Sequence, residues 1–204
     1  IPARTHDKKI SISVWAKING YNKVLVKKYD VCLIAPIRVD AVSKGGFEEG
    51  LVSGSTVDAG KLVSITDFRG YAVAQTAIGN PTEFEKYAVQ LWKYYDVKSI
   101  FFDLSKAKYT LAVNGGSVVA NNDLSYADAM TAAKLSELTN KAVNLSLSQS
   151  GNNITFKNNG GSNVEEMFYV YIPVTVEYAY GKLTEYVKIP VYPRGQVPAS
   201  VKRR

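Results

Sequence analysis

Few residues in this chain are of the types that carry out nucleophilic catalysis. The sequence contains one histidine and one cysteine, His6 and Cys32. A Ser-His-Asp triad would need the N-terminal segment around His6 to be locked into a cleft. Cys32 lies in an apolar, strand-like run, and we expect it to be a small buried hydrophobe rather than a reactive thiol.

The acidic residues could support acid–base catalysis only if the fold brought two of them together. Glycoside hydrolysis, for example, needs two carboxylates at a set separation in space, which sequence spacing does not reveal. The candidates are identified by their charge alone: Glu48, Asp67, Asp103, Glu165 and Glu166. Because no phosphate-binding loop is present either, we expect no enzymatic activity and assign no catalytic residue.

Loop oxygens could also bind a hard cation such as Ca²⁺, which needs several of them in one place. The side chains that could gather are Glu48, Glu49, Asp58, Asp67, Asn121, Asn122 and Asp123. They do not form a D-x-[DN]-x-[DN]-G loop, and solvated loop carboxylates are the alternative interpretation. The sequence therefore leads us to assign no metal site and no cofactor.

The hydrophobic pattern indicates a mostly β fold. Residues 9–18 alternate apolar and other side chains, as a strand does, and Asn19-Gly20 marks a turn. Similar runs recur between Gly- and Asn-rich turns. The further predicted strands are residues 22–36, 61–65, 71–76, 98–104, 109–113, 142–148 and 153–158. We predict an immunoglobulin-like or jelly-roll β-sandwich with one or two short helices.

The clearest element is a hairpin over residues 170–193. Both of its runs alternate, and a Tyr-Gly-Lys break separates them. The pattern predicts a bulge near Glu185, where a charge interrupts the apolar series. Pro173 and Pro190 each remove a ladder donor, so each is expected to face a gap or an edge.

Two segments have the pattern of helices. Residues 81–95 place apolar side chains at helical spacing, with Asn80 as the predicted cap and Pro81 in the first turn. Residues 125–137 are rich in alanine and are expected to be capped by Ser125.

Charge is distributed unevenly along the chain. The net charge is +7, and basic residues concentrate near both ends while the middle is mildly acidic. Basic ends could bind an acidic neighbouring subunit, and Lys202, Arg203 and Arg204 are the candidate contacts at the C-terminus. Solvated ends without a partner are the alternative. No nucleic-acid-binding motif is recognised, so nucleic acid is not an expected partner.

Aromatic residues are the other candidates for partner contact. The chain has 14 tyrosines and two tryptophans. Outward-facing rings suit flat protein surfaces or sugars, whereas core packing is the alternative role. The candidates are Trp15, Trp92, Tyr95, Tyr178 and Tyr180.

These patterns predict three regions. Residues 1–29 would form a basic hairpin, read as the end of a preceding module, residues 30–196 the sandwich, and residues 197–204 a basic tail. Ile1 is expected to be a processed or truncated end. No apolar run approaches the length of a membrane-spanning helix.

Two stretches, residues 33–104 and 153–192, resemble immunoglobulin-like modules of large surface proteins of Bacteroidetes and of virion proteins of their phages. The resemblance rests on an Asp-x-Arg-Gly turn, a Tyr-Tyr pair before a strand and a closing Tyr-Gly hairpin. It implies sandwiches that project, decorate or adhere, and it transfers no catalytic residue.

We therefore expect a non-enzymatic structural, assembly or adhesion module of an extracellular structure, either a cell-surface array or a virion. Its expected partners are copies of itself or an acidic neighbouring subunit. The alternative is a carbohydrate-binding module that uses exposed aromatic residues such as Trp15, Trp92 or Tyr95, with a glycan as partner.

Overall fold

The computed structural model describes residues 7–20, 22–41, 45–75, 83–121 and 123–202. Its regular structure is mostly β, which confirms the predicted fold class. The strands are β1 (Lys8–Ala16), β2 (Val24–Leu33), β3 (Ile37–Ala41), β4 (Phe47–Glu48), β5 (Ser55–Asp58), β6 (Val63–Asp67), β7 (Ser99–Phe102), β8 (Lys108–Thr110), β9 (Ala112–Asn114), β10 (Ser117–Val119), β11 (Leu145–Ser150), β12 (Asn153–Asn158), β13 (Phe168–Tyr178) and β14 (Gly181–Tyr192). The helices are α1 (Glu83–Tyr94), α2 (Ala132–Thr139) and α3 (Ala199–Lys202).

The main sheet is built on the predicted hairpin. Its strands lie in the order β4-β14-β13-β7, and β8 also pairs with β13. β13 and β14 are antiparallel from the pair Phe168↔Val191 to the pair Tyr178↔Gly181. Alternate side chains on both strands face inward, so that Val170, Ile172 and Ile189 are fully buried.

The predicted bulge near Glu185 is wrong. The register continues through the pair Val174↔Glu185 without a shift. Glu185 lies on the same side of the strand as Leu183 and Val187, and it is only half-buried. A long side chain can lay its stem along apolar neighbours while its carboxylate stays near water, so one charged residue interrupts the pattern without displacing the strand.

Pro173 faces a gap in the sheet, as predicted. Its carbonyl accepts a hydrogen bond from the Asp103 N–H at 2.9 Å. A strand residue directs its nitrogen and its carbonyl to the same side, so the missing donor of Pro173 points the same way. That side lies between the pairings of β13 with β7 and with β8, where no ladder bond from Pro173 is needed.

Two smaller sheets pack on the inward face of the main sheet. One joins β3 to β6, and the other has the order β11-β12-β5. The first shares a buried cluster with Val176, and the second shares one with Val170. Phe47 and Phe156 stack within the second cluster, with their ring centroids 5.5 Å apart. Sheet-on-sheet packing around these clusters makes the fold sandwich-like.

The first predicted helix is confirmed as α1. Ala88 and Leu91 on its apolar side are buried, as is Tyr95, the residue after its end. The proposed cap, Asn80, and Pro81 lie outside the described residues. No helix in the described ranges is long and apolar enough to span a membrane.

The second predicted helix begins later than expected. The N–H and hydroxyl of Ser125 donate to Asp128, which forms a turn instead of a cap, and Met130 is held in a β-bridge with Tyr109. Thr131 is the actual cap of α2, because its hydroxyl accepts the Lys134 N–H. Local pairing with the sheet therefore overrides the helical propensity of the first half of this segment.

The strand expected over residues 71–76 is reduced to a single bridge between Thr66 and Ala72; residue 76 lies outside the described residues. The Val73 N–H bonds to Ile65, but the Ala74 N–H bonds to the Ala88 carbonyl of α1. The chain thus leaves β6 to meet the helix.

The N-terminal hairpin extends beyond residue 29, where its end was expected. β1 and β2 pair from Lys8↔Leu33 to Ala16↔Val24 as a separate two-stranded sheet, which we call the ribbon. The expectation of a buried Cys32 is wrong, because Cys32 is exposed opposite Lys9. A two-stranded sheet with no layer against it leaves side chains exposed on both faces.

Candidate interaction surfaces

Up to its register shift, the ribbon has one mainly apolar face and one polar face. A register shift lies between Val14 and Trp15, and up to that point partners face each other pair by pair. Side chains of paired strand residues share a face and alternate along the strand. The apolar face is formed by Ile10, Ile12, Val14, Val24, Tyr29 and Val31, with Lys27 beside Val14. Ser11, Ser13, Lys28 and Asp30 occupy the other face, and Trp15 and Leu25 lie on that face beyond the register shift.

This apolar face is uncovered within the described chain. Ile12 is 47% exposed and Val14 is 45% exposed, whereas strand residues with these side chains normally face a core. The ribbon is tied to the rest of the chain at its base, where Asp7 accepts hydrogen bonds from the Ala35 N–H at 2.8 Å and from Arg38 at 3.3 Å. An isolated two-stranded hairpin is only marginally stable in water.

The basic charge of the chain is concentrated in the same element. Residues 7–33 contain six lysines and two aspartates, a net charge of +4. Residues 34–202 contain 16 basic and 16 acidic side chains, a net charge of zero. The ribbon therefore combines exposed apolar side chains with a net positive charge.

A groove of about 380 Å³ lies between β6, β7 and residues 73–75. Its apolar lining includes Val63, Ile65, Val73, Trp92, Ile100 and Phe102. Ile100 is 38% exposed, although its strand partner, Val176, is fully buried. The groove thus lies where the core of the sandwich reaches the edge of the main sheet.

β7 is the edge strand of the main sheet at this groove. Asp103 and Phe101 lie at positions whose backbone groups face β13, because the Asp103 N–H bonds to Pro173. The alternation directs the N–H and C=O groups of Ile100 and Phe102 away from β13, toward the open edge. Among the described residues, no strand pairs with this edge, and unpaired edges are templates for strand addition.

On the outward face of β13 and β14, aromatic side chains pack against neighbouring side chains and the Tyr126 ring. Tyr126 stacks on Tyr186 with centroids 4.2 Å apart, and the Tyr171 hydroxyl donates to the Leu124 carbonyl. The Lys188 ammonium lies 4.4 Å from the Tyr169 ring centroid. These rings are thus occupied by local contacts and do not form a bare platform of coplanar rings for a sugar.

The Asp-x-Arg-Gly turn is a structural clasp. The buried Asp67 carboxylate accepts the N–H groups of Arg69 and Tyr71, each at 2.9 Å, and the Arg69 Nε at 2.8 Å. Arg69 in turn donates to the Tyr87 hydroxyl of α1 at 2.8 Å. Burial by itself would raise the pKa of Asp67, but the hydrogen bonds from Tyr71 and Arg69 hold that pKa below its ordinary value.

A second buried carboxylate ties two loops together. Glu49 has no exposed surface, and its Oε1 accepts the Val164 N–H at 2.9 Å and the Asn158 amide at 2.8 Å. Its Oε2 has no hydrogen-bond partner in the described chain. Burial raises the pKa of Glu49, although the hydrogen bonds from Val164 and Asn158 oppose that rise.

In the part of the chain that the structure describes, the candidate acidic residues make separate local contacts. Asp67 and Glu49 accept the hydrogen bonds described above. Asp58 caps the turn at Gly60, and Glu48 accepts the Gly195 N–H. Within the described ranges, no group of three or more His, Cys, Asp or Glu side chains could hold a metal ion. Asn122 lies outside these ranges.

The predicted contact residues are divided between surface and core. Trp15 is 55% exposed on the ribbon, and Tyr180 is exposed at the hairpin turn. Trp92 is half-buried and lines the groove. The prediction is wrong for Tyr95 and Tyr178, which are 5% and 2% exposed because both pack in the cluster beneath α1.

Of the basic C-terminal residues, Lys202 ends α3, while Arg203 and Arg204 lie outside the described residues.

Sequence reasoning also missed the open edge at Ile100 and Phe102. The only signal for it was a short apolar strand, and a short apolar run looks the same whether its edges are paired or open.

No family model, curated protein or solved structure gave a match to this chain.

Proposed function

We propose that this chain is a non-enzymatic assembly or adhesion module of an extracellular structure, a cell-surface array or a virion, and that it acts through protein–protein contacts. The observation that carries the proposal is the uncovered apolar face of the ribbon. A sheet with one apolar face is stable when a second layer covers it. The described chain contains no such layer, so the proposal requires a partner protein that covers this face.

The accessible surface of the chain supports the same proposal. A compact monomer of 22.4 kDa would expose roughly 9,400 Å², whereas this chain exposes 12549 Å². The ribbon, whose residues 11–15 and 22–30 are exposed, contributes to this difference. Covering the ribbon would remove part of that excess.

The first test is a pair of lysine substitutions on opposite faces of β1. We expect Val14→Lys, on the apolar face, to weaken self-association at least about tenfold, because it places a charge in a buried contact. Light scattering across a concentration series would measure the association constant.

Ser13→Lys is the matched control. Val14 lies opposite Lys27 and Ser13 lies opposite Lys28, so both substitutions create one like-charge pair and differ only in the face they alter. Equal effects of the two variants would contradict a role for the apolar face. A wild-type chain that stays monomeric at every concentration and salt would overturn the assembly proposal.

The basic tail provides a separate prediction. Deleting residues 197–204 removes three positive side chains near the C-terminus, Lys202, Arg203 and Arg204, and leaves Arg194 in place. We expect weaker assembly at low salt and a smaller difference from wild type at high salt, where charge interactions are screened. Unchanged assembly at low salt would show that the tail makes no such contact.

A further inference from the structure

The ribbon and the groove are complementary surfaces on the same chain. Among the described residues, the ribbon has unpaired strand edges and an uncovered apolar face, and the groove has an apolar lining beside an unpaired strand edge. We propose that β1 of one copy pairs with the open edge of β7 in a second copy and lays the apolar face of the ribbon over the groove. This inference rests on the proposed assembly function and names both its partner and its contact site.

The open edge of β7 supplies the backbone part of this contact. The N–H and C=O groups of Ile100 and Phe102 face away from β13, as the Asp103–Pro173 hydrogen bond requires. An added strand would bond to these groups and extend the order β4-β14-β13-β7 by the two strands of the ribbon. Strand addition of this kind derives its affinity from main-chain hydrogen bonds and its specificity from alternate side chains.

β1 fits the edge better than β2 does. Along β1, Ile10, Ile12 and Val14 alternate with the small residues Ser11 and Ser13. In β2 the apolar series is interrupted by Lys27, and the alternating positions carry the larger charged residues Lys28 and Asp30. With β1 at the edge, the apolar face of the ribbon would continue the inward face of the main sheet, opposite Val63 and Ile65 of β6.

The charge distribution favours packing of the ribbon on the body of a second copy over packing on the ribbon of that copy. Two ribbons packed face to face would bring together two elements of net charge +4, whereas residues 34–202 are neutral. Like charge disfavours the first arrangement by repulsion.

Length also suits a contact between copies. A ten-residue strand such as β2 spans about 33 Å, which is comparable with the diameter of a small domain. The base of the ribbon is fixed by Asp7 against Ala35 and Arg38, and Ile12 and Val14 farther along it are exposed. Because the two surfaces differ, the contact is heterologous and generates rings or filaments.

The test uses one variant blocked in the ribbon and one blocked in the groove. Val14→Lys alters the ribbon and leaves the groove intact, and Ile100→Lys does the reverse. We expect the self-association constant of each variant alone to fall at least tenfold. An equimolar mixture should form a dimer of two chains, because the intact ribbon of the Ile100→Lys chain can still occupy the intact groove of the Val14→Lys chain.

Phe101→Lys is the matched control for the groove. Phe101 is 59% exposed on the same strand but faces the other side of the sheet, so this variant should assemble as wild type does. Amide hydrogen exchange provides a second readout, because it reports on the unaltered groove of the Val14→Lys chain. The amides of Ile100 and Phe102 in the Val14→Lys chain should become protected, by tenfold or more, when the Ile100→Lys chain is added.

The outcomes separate this inference from the assembly proposal. If Ile100→Lys assembles as wild type does, or if the mixture gives neither dimer nor protection, the ribbon does not occupy the groove, and assembly through another surface stands. A wild-type monomer overturns both. A wild-type monomer that binds duplex DNA with strong salt dependence would identify the ribbon as a nucleic-acid arm and would also overturn the inference.

Discussion

Replacing Glu49 with alanine is expected to lower the free energy of unfolding by about 2–4 kcal/mol, because it leaves buried donors without an acceptor. The donors are the Val164 N–H and the Asn158 amide, both bound to Oε1. Glu49 lies beside β4, and Val164 lies in the loop before β13. The substitution therefore removes the link between these two segments as well as the buried side chain, and urea denaturation would measure the loss.

Glu49→Gln separates the hydrogen bonds from the charge. Glutamine keeps an acceptor oxygen, so we expect it to retain most of the stability that alanine loses. Because burial raises the pKa of Glu49 in the folded chain above its ordinary value of 4.5, the unfolded chain ionises first as the pH rises. The group's contribution to stability is thus full below pH 4.5 and declines as the pH passes through the folded pKa.

The pH series has a clear expected form. Between acid and neutral pH, wild type should lose stability relative to Glu49→Gln, whose side chain does not titrate. A constant difference across that range would contradict a raised pKa at Glu49. Equal stability of Glu49→Ala and wild type would show that the link to Val164 contributes little.

Replacing Asp67 with alanine is expected to destabilise the fold by about 2–4 kcal/mol, for a different physical reason. Asp67 accepts three hydrogen bonds, two of them from the backbone of its own turn. Its loss would leave the Tyr71 N–H without its acceptor and release Arg69 from the position in which it binds Tyr87. The end of β6 and α1 would then lose a direct connection.

The pH dependence at Asp67 has the opposite sign to that at Glu49. Its hydrogen bonds hold its pKa below the ordinary value of 3.8, so the unfolded chain takes up the proton first as the pH falls. The contribution of Asp67 is full above pH 3.8 and is lost as the pH falls through the folded pKa. Wild type should therefore lose more stability than Asp67→Asn on acidification below pH 3.8.

Arg69→Ala distinguishes the two parts of this clasp. It removes the ion pair and the bond to Tyr87 but keeps both backbone donors to Asp67. Because the Arg69 side chain is 43% exposed and its ion pair is screened by solvent, its loss should lower the free energy of unfolding less than the loss of Asp67 does. A larger effect than that of Asp67→Ala would contradict this assignment.

Local sequence predicted the elements whose pairing is local. The hairpin of β13 and β14 follows from two alternating runs joined by a short turn, and α1 follows from its helical spacing. The start of α2 was misplaced because Met130 pairs with Tyr109, which lies more than twenty residues away in the chain. A contact at that distance leaves no signal in the local pattern.

The candidate surfaces were predictable only in part. Basic residues and alternating apolar residues near the N-terminus identified a charged hairpin, and Trp15 proved to be exposed. Tyr95 and Tyr178 have the same residue type as Tyr180 but lie in the core. Residue type does not reveal which face of a strand is covered, because that depends on which sheet packs against it.

By itself, the sequence determined the mostly β class, the closing hairpin, the helix α1 and the concentration of positive charge in the first strands. Each of these depends on periodicity, turn residues or composition over a short range. The tertiary structure alone decided that no described layer covers the ribbon, that no described strand pairs with the edge of β7 beside the groove, and that Glu49 and Asp67 are buried acceptors. These features depend on contacts between distant segments, and burial is a property of the packed chain rather than of any local stretch.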